Sequence, residues 1–132
     1  MSKDRITLTV PAQGEYARTV RVTAAELASR LGMSYDEVDD VRLAAEEAFV
    51  YGCEAVGEEG DISFTFIIEE GSLTVEVGPM ACRMPEDGSS ASDNYAEFIL
   101  KSVCDEFAIE HDADSCLLRL CHRATAPGSA GA

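Results

Sequence analysis

Two alternating runs constrain this chain more than any other feature. Ile62, Phe64, Phe66 and Ile68 alternate with Ser63 and Thr65. After the short link Glu69-Glu70-Gly71-Ser72, Leu73, Val75 and Val77 follow the same rule. A period of two puts each apolar set on one face, and so short a link makes the pair an antiparallel hairpin.

The flanks supply the rest of the fold. Ile6, Leu8 and Val10 alternate with Thr7 and Thr9 in a first strand that Pro11 ends. From about Glu15 the period becomes helical: Tyr16, Val20, Ala24, Leu27, Ala28 and Leu31 share a face, and Gly32 is the stop. Ser34-Tyr35-Asp36-Glu37 reads as a capping box for a second helix. Its apolar face carries Val38, Val41, Ala45, Ala48, Phe49, Gly52 and Val56, and its other face Asp36, Asp39, Asp40, Glu46 and Glu54. Residues 79–94 read as a loop, Tyr95 to Glu106 as a helix, and Phe107–Glu110 with Cys116–His122 as a last strand pair.

The order β-α-α-β-β-α-β-β has too few helices to cover both faces of a five-stranded sheet. The expectation is an α+β two-layer sandwich, with helices on one face of a mostly antiparallel mixed sheet. Residues 1–123 form one domain, and residues 124–132, of Ala, Gly, Ser, Thr and Pro only, a disordered tail.

Composition narrows the function. The chain has 132 residues, 46% of them apolar, and 25 acidic against 10 basic side chains, a formal charge of −15. Apolar content of that size builds a core, and the charge opposes general binding to nucleic acid or an anionic membrane. No apolar run is long enough to span a bilayer and no signal-peptide pattern opens the chain, so a cytoplasmic protein is expected. The five cysteines lack a Cys-x-x-Cys pair. They read as buried small hydrophobes rather than disulfide or zinc partners. Cys116 and Cys121 fall on opposite strand faces. No metal site is expected: His111 and His122 are isolated and read as surface or strand-edge histidines, and Asp36, Asp39 and Asp40 lack calcium-loop spacing. Ser89, Ser90 and Ser92 lack a nucleophile elbow.

With these elements in hand, the chain resembles the bacterial anti-sigma-factor serine/threonine kinases of the GHKL superfamily of ATP-binding domains. The resemblance covers about residues 5–123. It is carried by Ile6–Val10, Pro11-Ala12, Glu15-Tyr16, Gly32, Ser34-Tyr35-Asp36-Glu37, the helix Val41–Val56, Phe98-Ile99-Leu100 and Asp105-Glu106. It implies a GHKL fold, Mg-ATP as cofactor, a sigma factor or anti-anti-sigma domain as partner, and a possible homodimer.

Carried over by position, the resemblance departs from the family at the nucleotide site. The family's second helix presents Glu-x-x-x-Asn, the Glu activating the substrate hydroxyl and the Asn holding magnesium. Here Glu47 stands at the Glu position and Tyr51 at the Asn position, and a phenol lacks the amide oxygen. Aligned from Leu73–Val77, the family's Asp-x-Gly-x-Gly segment reads Gly78-Pro79-Met80-Ala81-Cys82, so Pro79 replaces the adenine-reading Asp and Ala81 a glycine. The Gly-x-Gly that cradles phosphates at the last helix becomes Asn94-Tyr95-Ala96-Glu97, where bulky Tyr95 and anionic Glu97 oppose a polyphosphate.

The expectation is therefore a pseudokinase without a nucleotide cofactor, acting by stoichiometric binding to a sigma factor or anti-anti-sigma partner. One alternative is an active Mg-ATP-dependent kinase with Glu47 as base. Another is a small-molecule-binding domain in which Tyr51, Met80 and Tyr95 reline the old pocket.

Overall fold

The computed structural model describes residues 3–81 and 91–125, the side chains of 91–94 excepted. The loop cysteine Cys82 and the serines Ser89 and Ser90 lie outside the described residues, as does most of the expected tail. The elements follow the expected order. They are β1 (Asp4–Pro11), α1 (Ala17–Arg30), α2 (Tyr35–Val56), β2 (Asp61–Glu69), β3 (Ser72–Ala81), α3 (Ala91–Val103), β4 (Glu106–Asp112) and β5 (Ser115–Arg123). A single 3-10 turn over Gly14–Tyr16 leads into α1.

The five strands form one sheet in the order β1-β2-β3-β5-β4. All four pairings are antiparallel, so the sheet lacks the parallel component of the expected mixed sheet. The expected hairpin is β2–β3, with Phe66 opposite Val75 and Phe64 opposite Val77.

The helices cover one face, where the apolar residues of the strands meet α2 and α3. Phe49 on α2 stacks over Phe64, which stacks on Phe66, at centroid separations of 6.5 and 6.3 Å. Ile62, Leu73, Val75, Val77, Leu118 and Leu120 complete the buried floor. Gly52 brings α2 against β2: a Cβ there would come within 3.0 Å of the Ile62 side chain.

Local chemistry sets the helix ends. Gly32, at φ +78°, follows α1, and its amide donates to the Ser29 carbonyl. The capping box closes α2 as the sequence predicts: Glu37 N–H donates to Ser34 Oγ at 3.1 Å and Ser34 N–H to Glu37 Oε1 at 2.7 Å. Helix α3 begins four residues before the expected Tyr95 and ends before Asp105. Strand β3 runs to Ala81 through a register shift between Val77 and Met80. Pro79 sits in that irregularity, where a residue with no N–H to donate does not interrupt a regular ladder.

Candidate functional site

Helix α2 positions Glu47 and Tyr51 four residues apart, one turn along the helix. Their surroundings differ. Glu47 is half-buried, and burial together with the neighbouring Glu46 carboxylate pushes its pKa up. Tyr51 is only 6% exposed and belongs to the core cluster, together with Ala48, Phe49 and Met80.

The remaining predicted positions differ from Tyr51 in exposure. Pro79 and Ala81 are exposed, while Met80 between them is buried in the core. Pro79 lines a depression of about 300 Å³ with Glu110, His111 and Ser115, at the turn between β4 and β5. Tyr95 lies in the second turn of α3, 64% exposed, with Phe98 exposed one turn further on. The expected phosphate-cradling position is thus inside the helix, because α3 starts earlier than its apolar periodicity alone shows.

The groups present do not suit Mg-ATP. Tyr51, where the resemblance puts the family's magnesium-holding Asn, offers no amide oxygen and is buried in the core cluster. The residue at the adenine-reading position has no acceptor in its side chain. Tyr95 sits on a helix that already has its first turn behind it, so its amide is engaged by the helix rather than presented at an open N-terminus.

A polar pocket stands at the other end of α2, beside the capping box. About 210 Å³ is enclosed among Glu37, Asp40, Cys104, Asp105, His122 and Thr125. His122 is 4% exposed, which corrects the expected surface or strand-edge histidine. The reason is its phase on β5, where it follows Leu118 and Leu120 onto the helix-covered face. Its Nε2 lies 3.8 Å from Cys104 Sγ. Burial pushes the His122 imidazole down to about 4 and the Cys104 thiol up to about 12, so both are neutral near pH 7. A neutral thiol beside a neutral imidazole is not an activated nucleophile. Asp40 is shifted upward by burial first and then by Asp36 and Asp39.

The same end ties the chain together. Glu37 Oε2 accepts from Thr125 N at 2.9 Å and from Thr125 Oγ1 at 2.6 Å, while Ala124 N–H donates to the Gly71 carbonyl. These bonds fix residues 124 and 125, which the sequence reading assigns to the tail. Thr125, hydrogen-bonded to Glu37, and then the Ser34 bond draw the Glu37 carboxyl downward in pKa. Cys53, Cys104 and Cys121 are half-buried thiols, and Cys116 is buried.

A second concavity runs between α1 and α2, an open trough of about 680 Å³. Arg18, Arg21 and Arg42 line it beside Val22, Val38 and Tyr35. Arg21 bridges the two helices through Glu46 at 3.0 Å.

The antiparallel sheet under α2, with the Ser-x-x-Glu start of that helix and Glu47 within it, is the architecture of a known class. Residues 10–119 match the family model described as a histidine kinase-like ATPase domain, and the chain belongs to that family. Within it, the chain is similar to serine-protein kinase RsbW. Over 77 residues it is 38% identical to RsbW of Bacillus subtilis (strain 168), covering 56% of this chain and 48% of the relative. RsbW of Bacillus cereus (strain B4264) is 25% identical over 131 residues, covering 83% and 79%. The chain thus spans about half the length of the first curated relatives it matches. A crystal structure of the RsbU and RsbW domains of a Mycobacterium tuberculosis protein shares the fold, with a TM-score of 0.68 at 19% identity over 92% of this chain and 32% of that one. Among the described residues, no helix is long and apolar enough to cross a membrane.

Proposed function

We propose that the chain is a pseudokinase of the anti-sigma type, acting by stoichiometric binding to a sigma factor or an anti-anti-sigma domain. One observation carries the reading: Tyr51, at the position where the family's magnesium-holding Asn is expected, is buried in the hydrophobic core. An amide oxygen is missing there, and the side chain is part of the buried core. Pro79 and Tyr95 add independent losses, of adenine recognition and of the phosphate cradle. The order of elements and the five-stranded sheet that would present a surface to a protein partner are meanwhile present. On this reading the protein works in the cytoplasm, as a possible homodimer, and needs no nucleotide.

Thermal unfolding with and without millimolar Mg-ATP tests the loss of the nucleotide site. The expected outcome is no shift in Tm. Stabilisation of about 2.7 kcal/mol, the gain at a hundredfold excess over Kd, overturns the pseudokinase reading. Co-expression with a sigma factor or an anti-anti-sigma domain, followed by co-purification, tests the partner.

An active kinase is the second reading, and one observation favours it. Glu47 is retained, and its half-buried carboxyl is shifted upward, the direction a general base near neutrality requires. That reading expects phosphate transfer from ATP to a partner domain, lost in Glu47→Ala.

A further inference from the structure

We propose that the polar pocket at the first turns of α2 binds a small primary ammonium ion, with Asp40 and Asp105 facing its charge and His122 accepting its hydrogen bond. The pocket lies about 21 Å along α2 from Tyr51, so the inference stands whether or not the nucleotide site works.

The buried imidazole is the first argument. His122 is 4% exposed and lines the pocket. Its Nε2 meets the Cys104 thiol at 3.8 Å, a weak contact, and its Nδ1 has no hydrogen-bond partner among the described residues. Buried polar groups are paired in nearly all native structures, so a buried ring that lines a cavity calls for a partner from outside the chain. A neutral imidazole keeps one nitrogen as an acceptor, and an ammonium group only donates.

Charge is the second argument. The electrostatic neighbours of Asp40 are Asp36, Asp39, Asp105 and Glu37, all carboxylates, and no cation offsets them there among the described residues. Glu37 is already committed to Ser34 and Thr125. Asp105 Oδ2 accepts from the Arg123 amide at 2.6 Å, which leaves its other oxygen. Arg123, the one cation in the lining, holds Glu106. Like charges so placed oppose one another, and an added cation relieves them together. Water would satisfy the imidazole and leave the repulsion, and an anion would increase it.

Size and lining narrow the ligand. At about 210 Å³ the pocket is smaller than the roughly 300 Å³ at which sites for drug-sized ligands begin. Met33 and Val103 line it beside the polar groups, which suits a short alkyl stem behind the charged head. A metal ion fits less well: among the described residues, no group of three or more His, Cys, Asp or Glu side chains is placed to hold one.

The probe is n-butylamine hydrochloride, charged at pH 7, titrated into the isotope-labelled full chain at fixed ionic strength. n-Butanol is the uncharged twin. Saturable binding of the amine is expected, with a Kd of about 1 mM and at least tenfold tighter than the alcohol. Amide shifts should centre on residues 37–40, 102–105 and 122–125, and the ring protons of His122 should shift with them. Asp40→Asn removes a charge that its neighbours oppose. It should weaken amine binding at least tenfold with a Tm no lower than the parent's. Nα-acetyl-lysine methylamide carries the same head on a peptide-like backbone. Tighter binding than butylamine assigns the ammonium to a lysine of a protein, and equal or weaker binding assigns it to a free amine. No saturation, equal affinity for the alcohol, shifts centred elsewhere, or unchanged affinity in Asp40→Asn overturns the proposal. So does stoichiometric binding of zinc chloride at the same residues, because the donors then form a metal site.

Discussion

The two ends of α2 are built on opposite principles. Around its first turns lies a polar pocket in which Glu37, Asp105 and Thr125 are bound into hydrogen bonds. About 21 Å further along the same helix, Tyr51 is packed among apolar side chains. The family resemblance implies the reverse, with the polar chemistry gathered at the Tyr51 end to hold metal and phosphate. On the pseudokinase reading, one helix keeps its place in the fold while the chemistry at one end is replaced by packing, because the helix is held by its apolar stripe and its cap. Neither depends on the nucleotide.

Substituting at each end probes this contrast. The largest effect is expected for Tyr51→Asn, which restores the family's residue type. It removes a buried ring and leaves an amide in apolar surroundings, at a cost of about 3 kcal/mol in urea unfolding. It should not create a Tm response to Mg-ATP, because Pro79 and Tyr95 remain. A gain of nucleotide stabilisation would show that Tyr51 alone closes the site.

Acid should act at the other end. The imidazole of His122 is held near 4, below its ordinary 6.5. Between those values the unfolded chain binds a proton that the folded chain refuses, so stability falls as pH drops from about 6.5 to about 4. The shift is worth up to about 3 kcal/mol. Unfolding free energy measured across that range should lose this slope in His122→Leu. An unchanged slope would show that a group other than His122 carries it, and not Asp40, whose raised pKa gives the opposite sign.

Ser34→Ala removes the capping acceptor and should cost about 1 kcal/mol. Because Glu37 also holds Thr125, amide exchange should rise at residue 125 as well as in the first turn of α2. Exchange confined to the helix start would mean that the strap is independent of the cap. The smallest effect belongs to Tyr95→Ala, within about 0.5 kcal/mol, because the ring is largely exposed. A larger loss would mean that Tyr95 packs against something and that the two ends differ less than their burial indicates.

Much of the fold is legible in the residues alone. The hairpin Ile62–Val77, the period change after Gly14 and the Ser34–Glu37 box are local signals, each decided within a few residues. The start of α3 is less legible: Ala91 to Asn94 have no apolar periodicity to mark them, so the helix is placed four residues late. The site is legible in identity but not in disposition. Spacing pairs Glu47 with Tyr51, whereas the burial of Tyr51 depends on how the elements packed against α2 close on it. His122 is the clearest miss. Its alternation with Leu118 and Leu120 is the signal that places it on the covered face, although histidine is less often fully buried.

The sequence by itself determined the order of elements, the single covered face of the sheet, the cap of α2 and the loss of the amide at position 51. These follow from periodicity, backbone chemistry and side-chain type, which act over one or two turns. Only the tertiary structure decided that Tyr51 is core, that His122 and Cys104 meet across 18 residues, that Glu37 holds Thr125 across 88, and that three arginines share one trough. Each of those depends on how close two distant elements come. That distance is set by how side chains of several elements fill the space between them, which no single stretch of sequence contains.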